Sequence, residues 1–159
     1  YRPLGFLPSP VNLIPGQGPE IIRLGDFVFA PAICYEIIFS DSLIPSGADR
    51  IDAIVNLTND NWFGNTPGTY QHLDMVRRYA IESGLPIVRA NFSGISAFVA
   101  SDGEIISALP VGTVGVLDGF VWGAHNTLYR QIGLNGWMII LLLLSVIMIF
   151  ATKKMHDEN

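Results

Sequence analysis

The sequence predicts an α/β domain with a mixed sheet, followed by a single membrane-spanning helix. Three observations carry this reading. Short runs of β-forming apolar residues alternate with a helical pattern through the first part of the chain. Ser101-Asp-Gly103, set between two further apolar runs, marks a hairpin, so the sheet is not purely parallel. Residues Gly136 to Ala151, GWMIILLLLSVIMIFA, contain no charge, no proline and one polar side chain, Ser145.

The elements follow in order. Asp26 to Ile33 (DFVFAPAI) reads as a buried strand ending at Cys34, and Tyr35 to Leu43 as the start of a short helix. Ser46-Gly-Ala-Asp49 is turn chemistry, and Ile51 to Leu57 (IDAIVNL) is a second strand. Thr58 to Thr69, rich in Asn, Asp, Gly and Pro, reads as a long loop. A helix is predicted from Thr69 or Tyr70 to Ser83, because Leu73, Val76 and Ala80 share one face; Gly84 suits its end and Pro86 cannot extend it. Pro86 to Asn91 is a third strand. Ile95 to Ala100 and Glu104 to Leu109 form the hairpin, and Thr113 to Trp122 is a last strand. The domain boundaries are set at 1–131 for the α/β part, 132–152 for the span and 153–159 for a tail.

Charged residues make up 14% of the chain, against about 25% in soluble domains, and the apolar run is the local cause. With Ile132 to Asn135 the run reaches about 20 residues, the length that crosses a hydrocarbon core of ~30 Å. A buried core helix of similar length would keep a polar face, and this one has none. Trp137 stands at one end; Lys153 and Lys154, the only lysines, stand at the other. The positive-inside tendency places the lysine end in the cytoplasm and the domain outside the membrane, with Arg130 as a competing charge. The net charge of -5 and the lack of a basic stripe argue against nucleic acid as a partner. The opening residues Tyr1 to Pro10 read as loop, which predicts that the chain is a fragment; His156 to Asn159 read as a frayed tail.

Cys34 is the one cysteine, so no internal disulfide can form. Two readings stand for it: a small buried hydrophobe, or a nucleophile presented where a strand gives way to a helix at the sheet's C-terminal edge. In the second, the helix start favours the thiolate, and the backbone N–H of Tyr35 faces a developing oxyanion. Glu36 is either an ordinary first-turn acid or a buried carboxylate beside the nucleophile. A buried Glu36 needs a cation, for which Arg77, Arg78 and Arg89 are the candidates. Asn59 and Asp60 read as turn formers, and Gln71 and His72 as caps at the helix start. No second His or Cys is spaced to make His72 a metal ligand, and no Gly-rich phosphate loop is present; no metal or cofactor is expected.

Ile33-Cys-Tyr-Glu36, Val55-Asn-Leu-Thr-Asn-Asp-Asn-Trp-Phe-Gly64, Tyr70-Gln-His72, Arg77-Arg-Tyr-Ala-Ile-Glu82 and Val88-Arg-Ala-Asn91 together resemble the carbon–nitrogen hydrolase (nitrilase) superfamily. The Asn-Asp-x-Trp-Phe-Gly run, the Gln-His pair and the terminal span resemble its apolipoprotein N-acyltransferase branch, over about Pro15 to Lys154. The resemblance implies a nitrilase-like α-β-β-α sandwich, present here in part. It implies a Glu-Lys-Cys triad whose Cys matches Cys34, while the Glu and Lys have no counterpart in this chain. Glu36 then matches a supporting acid, and Trp62 and Phe63 an aromatic pair near an acyl pocket, which in a plainer reading only anchors its loop.

The implied reaction moves a fatty acyl chain from a membrane phospholipid, through a Cys34 thioester, to the amino group of a diacylglyceryl-cysteine lipoprotein. The implied setting is a bacterial inner membrane with the domain on the periplasmic side. A fragment lacking two triad members is expected to be inactive alone. A membrane-tethered amidase acting on a small amide, and a truncated, non-enzymatic binding module, are the rival readings.

Overall fold

The computed structural model describes residues 16–39, 43–45, 47–48 and 50–157. The expected N-terminal loop, residues 40–42 of the expected Tyr35–Leu43 helix, Ser46 and Asp49 of the expected turn, and the last two residues of the tail lie outside the described residues.

Among the described residues, six strands form one sheet in sequence order: β1 (Ile22–Leu24), β2 (Phe27–Ile33), β3 (Ala53–Thr58), β4 (Ile87–Asn91), β5 (Ser96–Val99) and β6 (Ile105–Leu109). β2, β3 and β4 run parallel, and the outer pairings are antiparallel. The mixed sheet is thus as the sequence predicts. Between β3 and β4 the chain makes α1 (Gly68–Ser83), whose length matches the predicted helix to within two residues. α2 (Leu128–Asp157) closes the chain.

Strand parity decides which side chains enter the core. Ala30, Ile54, Ile87 and Val99 stand in register across four strands, and Ala32, Asn56, Arg89 and Ala97 form the next row on the same face. All eight are buried. α1 packs on this face through Leu73, Val76, Tyr79 and Ala80, completing the core with Ile37, Leu43 and Leu85. Each such large apolar side chain contributes about 1.5–3 kcal/mol when fully buried. The small Ala30, Ala32 and Ala97 let the helix approach the sheet closely. The opposite face carries Pro31, Val55, Val88 and Phe98, each half-buried.

Three elements differ from the expectations. β1 is an additional edge strand, too short to stand out in the sequence. Where the sequence suggests a helix starting at Tyr35, the described residues form a 3-10 turn over Cys34–Ile38, so no long helix starts at Cys34. Thr113 to Trp122 is not a strand. Its apolar alternation is real, but it finds no ladder edge. Instead it crosses the sheet, passing close to the side chains of Leu109 and Phe98 at Gly115 and Gly119, with Val114, Val116 and Phe120 exposed.

α2 is long and apolar enough to cross a membrane from Leu128 to Lys153, and none of that stretch is buried in the protein. Gly133 interrupts it with a left-handed, non-helical backbone. The start of α2 is tied to the end of α1. Gly84 terminates α1 in the left-handed region (φ 66°). Its carbonyl accepts from the His125 N–H at 2.8 Å, and the Thr127 hydroxyl donates to the Glu82 carbonyl. The Thr127 hydroxyl also caps α2 by accepting from the Arg130 N–H at 3.0 Å.

Gly84 meets two constraints at once. Its φ disfavours any side chain, and a Cβ there would collide with the His125 carbonyl and the Thr127 methyl group. Gly84→Ala is expected to destabilise the domain by about 1–3 kcal/mol. Thermal unfolding in detergent checks this, with Gly16→Ala, which has open space around it, as the unchanged control.

Candidate active site at the ends of three parallel strands

The parallel strands β2, β3 and β4 all end on one edge of the sheet, and the segment leaving each one contributes to a single cluster. Ligands in open α/β sheets gather at this edge because side chains from successive strand ends converge there. β2 delivers Cys34. β3 delivers Asn59 and a second 3-10 turn, Asp60–Phe63. β4 delivers Asn91 and the turn through Gly94.

Cys34 is half-buried and is the one non-glycine residue with positive φ among the described residues (54°). Left-handed backbone at a residue bearing a Cβ costs about 1–2 kcal/mol, so the surroundings must enforce it. Glu36 holds one side of the turn, its carboxylate accepting from the Ile33 N–H at 2.7 Å. Asn56 holds the other, donating from Nδ2 to the carbonyls of Ala32 (3.0 Å) and Cys34 (3.3 Å).

Behind the turn lies a buried polar network. Arg89 donates from Nη1 to Asn56 Oδ1 (2.6 Å), from Nη2 to Asp60 Oδ2 (2.8 Å) and from Nε to the Ile95 carbonyl (3.2 Å). Asp60 Oδ2 also accepts from the Thr69 hydroxyl at 2.5 Å, and Oδ1 lies 2.8 Å from His72 Nδ1. An ionised carboxylate can only accept, so Nδ1 carries the proton and the Arg89 Nη2 contact to it at 3.2 Å is not a hydrogen bond. Asn91 Oδ1 gathers the backbone N–H groups of Asp60, Ser93 and Gly94 at 3.1, 3.3 and 2.9 Å. Gly94 is required by close approach: a Cβ there would stand 2.5–2.6 Å from the Thr69 and Asp60 oxygens.

The electrostatics follow from burial. Desolvation works against the Asp60 carboxylate, yet Thr69, His72 and the Arg89 charge outweigh it and hold its pKa below the ordinary value. His72 is lowered by burial and then by Arg89, against the opposing pull of Asp60, so its ring is neutral near pH 7. Burial also lowers Arg89, opposed first by Asp60 and then by Cys34; a guanidinium keeps its proton regardless. The cluster is therefore one cation balanced by one anion.

The sequence-predicted residues do not all converge. The half-buried Phe63 ring packs against Tyr35 and, edge-on, against His72, at centroid distances of 6.5 and 5.9 Å. Tyr35 lies 5.1 Å from His72. Trp62 turns away and is 87% exposed. Glu36 is exposed and pairs with none of the three candidate arginines: Arg77 pairs with Asp74, Arg78 with Glu82 and Arg89 with Asp60. The buried carboxylate–arginine pair expected for Glu36 is made by Asp60 instead, because Asp60 shares the inward face with Arg89. Asp60 is thus no mere turn former, and His72 caps nothing; it points inward from α1. Asn59 does act locally, accepting from the Asn61 N–H at 3.0 Å. The sequence alone does not mark Asn56, Thr69 and Asn91 as members of this cluster. Among the described residues no group of His, Cys, Asp and Glu is arranged to hold a metal ion.

Comparison with known proteins matches residues 4–121 to the carbon-nitrogen hydrolase family model. The chain is 41% identical over 155 residues to the apolipoprotein N-acyltransferase of Agrobacterium fabrum, covering 96% of this chain and 29% of that one. With the Rhizobium etli protein of the same name, identity is 52% over 91 residues, covering 57% and 17% of the two chains. The chain thus spans less than a third of the length of these relatives. Among solved structures, an amidase from Nesterenkonia sp. AN1 is similar at 22% identity and a TM-score of 0.48, covering 62% of this chain and 41% of that one.

Two outcomes are expected of the network. Asp60→Asn leaves the buried Arg89 charge uncompensated and should cost about 3–5 kcal/mol, read by denaturant or thermal unfolding. Stability should also fall with acid in a defined order. His72 binds its proton more weakly when folded than its ordinary value of 6.5, so stability declines as pH drops below about 6.5; Asp60, lowered from 3.8, adds a further loss below about pH 4. Melting temperatures of wild type and His72→Gln measured from pH 7.5 to 5 check the first step, which should flatten in the variant.

Proposed function

The chain belongs to the carbon–nitrogen hydrolase family, and from that premise we propose that it forms the nucleophile-bearing part of an apolipoprotein N-acyltransferase. The observation that carries this reading is Cys34, half-exposed at a strand end in an enforced left-handed turn, in a chain 41% identical to a protein of that name. A sulfur packed among aliphatic neighbours would have argued the opposite.

In the proposed reaction the Cys34 thiolate attacks the ester carbonyl of a membrane phospholipid. A C–S bond forms, the ester C–O bond breaks, and the departing alkoxide takes a proton to leave as lysophospholipid. The α-amino group of a diacylglyceryl-cysteine lipoprotein then attacks the thioester. A C–N bond forms, the C–S bond breaks, and the amine's proton passes to a base as the thiolate is regenerated. The Tyr35 N–H, next along the turn, is the proposed oxyanion donor. Glu36 supports the turn from its outer side. Trp62 is the exposed aromatic that meets the acyl chain, with Phe63 fixing its loop against Tyr35 and His72.

The general base and the cation of the family's triad have no counterpart in this chain, so activity is proposed only for a longer polypeptide that contains it. Residues 132–152 cross the bacterial inner membrane, with the domain on the periplasmic face and residues 153–159 in the cytoplasm. Both substrates are lipids, which explains why a hydrolase-type domain carries an apolar helix.

The test is acyl transfer by the full-length protein with labelled phospholipid. Label is expected on Cys34 as a hydroxylamine-sensitive adduct, and Cys34→Ala should abolish both adduct and product. Continued acylation of a lipoprotein peptide by Cys34→Ala overturns the mechanism. Hydrolysis of a small amide without acyl transfer favours the tethered amidase.

A further inference from the structure

The chemistry above makes no use of Asn56, yet its amide bonds the Cys34 carbonyl. Asn56 is fully buried on β3, one strand away from Cys34. Its Nδ2 has two hydrogens and meets two carbonyls, those of Ala32 and Cys34, which flank the strand end. Its Oδ1 accepts from Arg89 at 2.6 Å. That bond fixes which way the amide faces, since a flipped amide would set NH2 against the guanidinium, donor against donor. Arg89 is itself held at two further points, by Asp60 and by the Ile95 carbonyl.

We infer that Asn56 is a positioning residue for the nucleophile, its amide locked by Arg89 so that it keeps the Cys34 turn in the left-handed conformation. The turn is gripped on both sides: Glu36 takes the Ile33 N–H from outside, and Asn56 takes the Ala32 and Cys34 carbonyls from inside. Strained backbone persists only where its surroundings over-determine it. Without the inner grip, Cys34 relaxes toward ordinary strand geometry and its thiol swings away from the sheet edge. The inference rests on the proposed function only in taking Cys34 as the nucleophile.

The experiment is alkylation of Cys34 by iodoacetamide in the full-length protein purified from membranes, with the modified peptide identified by mass spectrometry. Asn56→Asp keeps the size and loses both donors; Asn56→Ser is uncharged, and its hydroxyl is too short to reach both carbonyls. The alkaline plateau of the rate, per folded molecule, is expected to fall on the order of tenfold or more in each, and kcat to fall likewise with KM unchanged. A variant that folds, melts lower and keeps the wild-type plateau overturns the inference, because only stability has then changed. If neither variant accumulates, Asn56 serves folding and the inference falls. Alkylation needs no acyl donor, so a wild-type protein that moves no acyl chain defeats the proposed reaction while leaving this result to stand.

Discussion

The Asp60–Arg89 ion pair is the constraint on which the rest of the site depends. Arg89 enters the core because its place on β4 is in phase with Ile87, and a buried guanidinium requires an anion within reach. Asp60 meets that requirement only because the chain leaving β3 folds back as a tight turn over the strand ends. Once the pair is made, its spare hydrogen-bonding capacity organises everything nearby. Thr69 and His72 on α1 bind the carboxylate, and Asn56 and the Ile95 carbonyl bind the guanidinium. One ion pair thereby ties together β3, β4, α1 and the turn preceding β5. Such pairs add little net stability compared with well-packed apolar residues. What this one confers is arrangement: three strand ends with a fixed spacing.

Membership of the carbon–nitrogen hydrolase family gives that arrangement its context. The described residues supply one sheet with one helix layer, half of a four-layer sandwich. The face turned from α1 fits this, since Pro31, Val55, Val88 and Phe98 are apolar yet only half-buried. The site lies at the sheet edge and is built largely from the α1 side. Its polar network is complete within this half, apart from His72 Nε2 and a few other buried atoms that lack a partner among the described residues.

Much of the fold could be read from local pattern. The three parallel strands, α1 with its glycine stop, and the hairpin at Ser101-Asp-Gly103 each announce themselves by apolar spacing and turn chemistry. Thr113 to Trp122 has the same spacing and fails, because alternation specifies a surface suited to a sheet but cannot supply a free edge. The strand ending at Cys34 is legible; the left-handed turn there and the partner of Arg89 are not. Proximity in sequence to the cysteine drew attention to Glu36, while Asp60 lies 29 positions before Arg89. Strand parity held the missing signal. Asn56 is in phase with Ile54, and Arg89 with Ile87, so two polar side chains were bound to meet inside the core.

α1 has a further consequence as a spacer. Its first turns reach the surroundings of Cys34 through His72, which packs on Tyr35, and its end is strapped to the start of α2 through the Glu82 and Gly84 carbonyls. From His72 to Gly84, a rise of 1.5 Å per residue separates the two by about 18 Å. Gly133 breaks the helical geometry just past the strap, between the domain and the apolar stretch of α2. A tilt of about 10° at that glycine would sweep the far end of a lever of this length by roughly 3 Å. Leverage of this kind moves the whole strand-end cluster without deforming it.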